Sequence, residues 1–193
     1  MPNPIDLARA VYRGYRGDRE NHVLRILVTL VMSTLIALDA KGLSKDALST
    51  MAVIVSVLAG FSFTALFSSH SHSMVDLPPP NSESDRQDLR ILITLFGNFR
   101  DRARYFLVIA VICLLLVFLI GIPFDIGKEA NELTLGYTDS YVYAIDLLWD
   151  AMSFIGRLSA LILFFEILYS FYRLAQTVFA ILDTRRSYLE SRD

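Results

Sequence analysis

The chain is poor in the residues that most small catalytic or metal-binding proteins depend on. It has one cysteine, Cys113, three histidines and one tryptophan in 193 residues. A lone cysteine excludes a disulfide scaffold. Charge is scarce as well, at 20% of residues, where a soluble domain carries about 25%. The formal net charge is only −2, so no bulk field draws the protein to nucleic acid. The sequence holds no phosphate loop, dinucleotide fingerprint, HExxH pair or nucleophile elbow. Its apolar stretches offer neither a histidine nor an aspartate pair at membrane depth, as intramembrane proteolysis would require. The expectation is therefore a protein that is not an enzyme and binds no cofactor.

What the chain has instead is apolar sequence in blocks. Hydrophobic types make up 54% of residues and the mean hydropathy is +0.46, which excludes global disorder. A spanning helix needs about 20 mostly apolar residues, within a range of about 17–25. Four blocks qualify or nearly do. The first, Val23 to Leu38, is slightly short and carries Arg25 near its start. The second, Ala47 to Phe67, and the third, Tyr105 to Phe124, contain no charge. The fourth, Ala151 to about Leu182, carries Arg157, Glu166 and Arg173. No small-x-small site follows the first block, so it reads as a retained span rather than a cleaved leader.

Fourteen of the 18 basic residues fall before span one and at its start, between spans two and three, or at the C-terminus. The positive-inside rule then puts both termini and the middle loop in the cytosol. The fold expected is all-α: a four-transmembrane-helix bundle in a bacterial inner membrane, with cytosolic helix extensions. The organisation is 1–22 cytosolic, 23–69 a transmembrane hairpin, 70–84 a Pro-containing cytosolic linker, and 85–124 a cytosolic helix running into span three. An acidic outer loop covers 125–150, and 151–193 holds span four with a cytosolic helical extension. Within that loop Asp125, Glu129, Glu132, Asp139, Asp146 and Asp150 face only Lys128. They read either as a solvated loop or as a cation-attracting vestibule.

The linker ends at a helix start. Ser84-x-x-Gln87 has capping-box spacing, with Asp85 in the first turn. Leu89, Leu92, Ile93, Phe96 and Phe99 then follow helical spacing, with Gly97 as a place to bend. Leu174, Val178, Ile181 and Leu182 form a second stripe near the C-terminus. Both stripes lie outside the lipid and must be covered by each other, by another subunit or by a partner. The basic residues Arg86, Arg90, Arg100, Arg185 and Arg186 on these extensions are the expected partner-facing set.

Inside the membrane, Ala52, Ser56, Gly60, Thr64 and Ser68 recur every four residues. Such a ridge allows close helix approach, either within one subunit or between subunits. Thr29, Ser33 and Thr34 could hydrogen-bond across an interface of that kind. The intramembrane charges are Arg25, Arg157 and Glu166, which are costly unless paired or solvated. Arg157 and Glu166 lie nine residues apart, on opposite helix faces, so they cannot pair with each other. Three readings of Glu166 stand: a pair with Arg25 or another subunit's arginine, a neutral buried carboxyl, or a group in ion or proton passage. His22, His70 and His72 converge on the cytosolic interface. Three imidazoles suffice for zinc, although separate interfacial histidines are the default.

In size, four spans, short outer loops and Arg-rich cytosolic ends, the chain resembles the small membrane subunits of two-component bacterial anti-phage systems, such as Kiwa. The resemblance is one of architecture, and no site residue follows from it. It implies a homo-oligomeric membrane sensor that holds a soluble effector protein on its cytosolic face. The partners expected are thus the lipid bilayer, further copies of the chain and a cytosolic protein, with no direct nucleic-acid binding. A small oligomeric cation channel is the alternative.

Overall fold

The computed structural model describes residues 22–38, 44–71, 79–121 and 139–190. They form four helices: α1 (His22–Leu38), α2 (Lys45–Ser71), α3 (Glu83–Gly121) and α4 (Asp139–Glu190). Among the described residues there is no strand. Helices α2, α3 and α4 are long and apolar enough to cross a membrane, whereas α1 is a shorter apolar helix. At 17 residues, α1 is about 26 Å long, a little under the hydrocarbon thickness of about 30 Å. Where four spans are expected, three helices have spanning length and the fourth is shorter.

Local sequence explains the helix starts. At α2, the Ser44 hydroxyl accepts the amide of Ala47 at 3.2 Å, and the Ser44 carbonyl accepts Leu48 N–H at 3.1 Å. At α3 the cap lies two residues earlier than the sequence pattern suggests. The Ser82 hydroxyl accepts Asp85 N–H at 3.1 Å, and Asp85 Oδ2 accepts the amides of Asn81 and Ser82 at 3.0 and 3.3 Å. Ser82-x-x-Asp85 is therefore the capping box, not Ser84-x-x-Gln87. Ser84 lies inside the first turn, where the amide two residues ahead, that of Arg86, already donates to the Ser82 carbonyl at 3.2 Å, and a cap needs free amides ahead of it. From there α3 runs through Gly97 without interruption for 39 residues.

The stretch from Asp139 to Asp150 differs from the expected loop, since its backbone is already α4. The sequence DSYVYAIDLLWD contains no proline or glycine, so nothing interrupts the helix. Asp125, Glu129 and Glu132 lie outside the described residues. Asp139 is the first residue of α4, and its side chain lies outside the described set.

α3 and α4 are antiparallel and form the most extensive helix pair, with α2 packed on α3 and α1 on α4. They are about 58 and 78 Å long, well beyond the bilayer core. Two buried cores lie along them. One, in the uncharged half of α3, gathers Val55 of α2, Phe106, Ala110 and Cys113 of α3, and Ala160 and Ile167 of α4. There Gly156 brings α4 close to Ile120, with 3.5 Å from the place of a Cβ to Ile120 Cγ1. The other core lies in the charged half, where Leu92, Phe99 and Ala103 meet Leu174, Ile181 and Tyr188. The two apolar stripes expected to need a cover therefore meet through Leu92, Phe99, Leu174 and Ile181, while Ile93 and Leu182 stay about half exposed. Around the apolar half, large side chains point outward: Phe61, Phe118 and Leu148 are each about two-thirds exposed. A bilayer is the solvent that such a surface fits.

Candidate functional site: an intramembrane charge clamp and a basic helical extension

One cluster joins three helices. Arg25 Nη1 of α1 lies 3.1 Å from Glu166 Oε2 of α4. The hydroxyl of Tyr105, on α3, donates to Glu166 Oε1 at 3.3 Å. The Arg25 guanidinium also sits 4.0 Å from the centroid of the Tyr169 ring, a cation–π contact. Only 16% of the Arg25 side chain and 17% of the Glu166 side chain are exposed. Of the three readings open for Glu166, the pair with Arg25 within one chain is the arrangement found. An open groove of about 250 Å³ between α1 and α4, floored by Ile26, Leu30, Ile162 and Leu163, ends on this pair.

A second polar layer follows where the apolar run of α3 ends. Arg102 Nη1 donates to Thr177 Oγ1 at 2.6 Å, and Thr177 in turn donates to the Arg173 carbonyl at 2.9 Å. The buried Arg173 donates to Gln176 Oε1 at 2.9 Å, and Gln176 donates to the Tyr172 hydroxyl at 2.6 Å. Along α4, seven residues put an axial gap of about 10 Å between the positions of Glu166 and Arg173. Arg157 donates to Ser153 one turn back at 3.0 Å and takes no part in the clamp.

The other sequence-derived residues distribute unevenly. In the small-residue ridge, Ala52 is half-buried, but Ser56, Gly60 and Thr64 are exposed, and nothing lies within 4 Å of a Cβ placed on Gly60. Ridge packing inside the subunit is therefore not what holds α2. The helix packs through Leu48, Met51, Val55 and Ser62, a face rotated from the ridge. The Ser68 side chain lies outside the described set. Thr34 and Thr64 bond back to the Leu30 and Gly60 carbonyls rather than across helices. The hydroxyls of Ser33, Ser62 and Ser170 are buried with no hydrogen-bond partner among the described residues. The His22 and His70 side chains, and His72 altogether, lie outside the described set. Among the described residues no three potential ligands cluster.

Of the expected partner-facing arginines, Arg86, Arg90, Arg100 and Arg186 are exposed and Arg185 is half-buried. Arg86 lies 3.7 Å from Glu83, and Arg186 lies 2.6 Å from Glu190, both on the surface. Sequence reasoning did not find Tyr105, Tyr169 or the Arg102–Thr177 bond. A tyrosine next to the last charge before an apolar run was the available signal for the first of these, since tyrosine carries a polar tip to that depth.

No family model matches the chain, and neither a curated protein nor a solved structure matches it.

Proposed function

We propose that the chain is a non-enzymatic membrane subunit that anchors a soluble protein at the bilayer and couples it to events in the membrane. In this reading α1 completes a four-span bundle in a bacterial inner membrane, and both termini face the cytosol. The observation that carries the reading is the self-covered α3–α4 extension. Leu92, Phe99, Ala103, Leu174, Ile181 and Tyr188 give the part beyond the apolar run its own core. A merely membrane-filling bundle has no need of one. A rigid two-helix extension of this kind positions a partner at a fixed height above the lipid. The clamp supports the coupling half of the reading. It ties the short α1 to α4, the helix that continues into the extension, so a displacement of α1 in the bilayer acts on that helix. The exposed face at Ser56, Gly60 and Thr64 supports association of copies of the chain through α2.

Pore function draws less support. Glu166, the carboxylate a cation path would use, is engaged by Arg25 and Tyr105. Native mass spectrometry of the tagged protein, gently extracted from its host, tests the proposal. The expected result is a homo-oligomer that carries a stoichiometric soluble protein. A bare oligomer that conducts cations in a planar bilayer would overturn it.

A further inference from the structure

On α3, residues Arg86, Arg90, Ile93, Gly97, Arg100 and Arg104 are spaced 4, 3, 4, 3 and 4 apart. At about 100° per residue they fall on one face, within about 40° of Arg86. Arg86, Arg90, Ile93, Arg100 and Arg104 are all exposed, and a Cβ on Gly97 would meet nothing within 4 Å. Among the described residues no carboxylate pairs with Arg90, Arg100 or Arg104, and Arg86 has only the exposed Glu83 at 3.7 Å. The face therefore reads basic, basic, apolar, open, basic, basic. The alternating spacing of 4 and 3 is the seam of a coiled coil, the pattern that keeps one line of side chains against a second helix.

We infer that this face of α3 seats an acidic amphipathic helix of a soluble partner protein. The inference rests on the anchor reading and names the chemistry of its partner. The apolar side of such a helix would settle on Ile93 and the open Gly97 position, and its flanking carboxylates would meet the two arginine pairs. Arginine stems lie along apolar surface while their heads reach out to carboxylates, which suits them to this seam.

Other occupants fit less well. A second copy laid symmetrically on this face would oppose arginine to arginine. Lipid headgroups reach only the near end, because Arg86 lies about 27 Å along the helix from Arg104, whereas the headgroup layers add only about 5–8 Å on each side of the bilayer core. A single-stranded nucleic acid needs stacking platforms, and this face has no aromatic residue. Within the chain, the acidic stretch Asp125, Glu129 and Glu132 comes after Gly121, the end of α3, which is itself more than 40 Å from Arg90 by helical rise. The 1–21 segment, with Arg9, Arg13, Arg16 and Arg19 against three acids, has the wrong sign.

The test uses the full chain in nanodiscs of zwitterionic phosphatidylcholine, with three labelled probes read by fluorescence anisotropy. These are a synthetic 21-residue Glu-flanked, Leu-striped helical peptide, a scrambled peptide of the same composition, and a single-stranded oligonucleotide. The helical peptide is expected to bind, and to lose about tenfold in affinity in the Arg90→Glu/Arg100→Glu variant as two charge pairs become repulsive. Gly97→Trp puts a bulky side chain at the open position without altering charge, and its Cβ meets nothing within 4 Å. It should weaken the helical peptide several-fold and leave the scrambled one unchanged. The inference is overturned if the scrambled peptide or the oligonucleotide binds as tightly as the helical peptide, or if Gly97→Trp has no effect. The anchor reading fails separately. If the wild-type complex from the host retains a soluble protein and the double arginine variant retains it equally, the inference about this face falls and the anchor reading stands. If the wild type retains none, the anchor reading falls.

Discussion

Glu166 is the side chain on which three helices depend. A carboxylate in a mostly apolar setting is costly when alone, and here a guanidinium and a phenol satisfy it. Removing one member of such a pair strands the other, at about 3–5 kcal/mol for a fully buried pair. Since both groups keep a little exposure, Glu166→Gln is expected to cost about 2 kcal/mol. Tyr105→Phe, which removes one neutral donor, should cost about 1 kcal/mol. Equilibrium unfolding in detergent measures both, and an unchanged midpoint for Glu166→Gln would contradict the clamp. Arg25→Met combined with Glu166→Gln should cost clearly less than the sum of the two single changes, because the second substitution removes a group the first has already stranded. The Arg25–Glu166 pair was legible in the sequence, because both residues are charges in apolar blocks at the same end of antiparallel spans. Tyr169 was not legible, because its contact depends on how α1 lies across α4, and no spacing within one helix encodes that.

At the scale of elements, the extension of α3 and α4 is held by its own core rather than by lipid. Phe99 is 2% exposed and Ala103 is 0% exposed. Phe99→Ala should destabilise the extension by about 3 kcal/mol through cavity formation. Ala103→Leu should cost about 1–3 kcal/mol through overpacking. Limited proteolysis of protein in nanodiscs checks both, with faster cleavage in 83–104 and 174–190 while the apolar half stays protected. Gly97→Ala should do the reverse and stabilise by up to about 1 kcal/mol, since the helix gains propensity and nothing obstructs the methyl group. Helical periodicity made the two stripes legible, and the need to cover them foretold their meeting. The sequence left the partner of the α2 ridge open, for an instructive reason. A small-residue ridge marks where a helix can approach another closely, but it does not say whether that other helix belongs to the same chain. Bulkier Leu48, Met51 and Val55 took the intrachain contact, which leaves Ser56, Gly60 and Thr64 outward. The start of α3 was misplaced by two residues because three serine or asparagine positions within four residues, Asn81, Ser82 and Ser84, all have capping chemistry. Only the reciprocal bonds of Asp85 select among them.

For the whole molecule, the account joins an apolar bundle to a charged two-helix extension. In the proposed reading uncharged Tyr105–Gly121 sits in lipid, and the segment 83–104, with nine charged residues, projects from it. The all-helical class and the long apolar helices follow from where charge is missing, so these could be read in advance. The partner could not, because a binding face is defined by what is left uncovered, and that emerges only once α3 and α4 have packed. The central claim is that the extension stands free of the bilayer on the cytosolic side. Labelling of single introduced cysteines with a membrane-impermeant maleimide tests it most directly. The native Cys113 is fully buried and gives a silent background. Arg90→Cys should react in inverted membrane vesicles and not in intact spheroplasts, and Asp46→Cys, at the opposite end of the bundle, should show the reverse. Labelling of Arg90→Cys from outside, or its protection on both sides, would contradict the account.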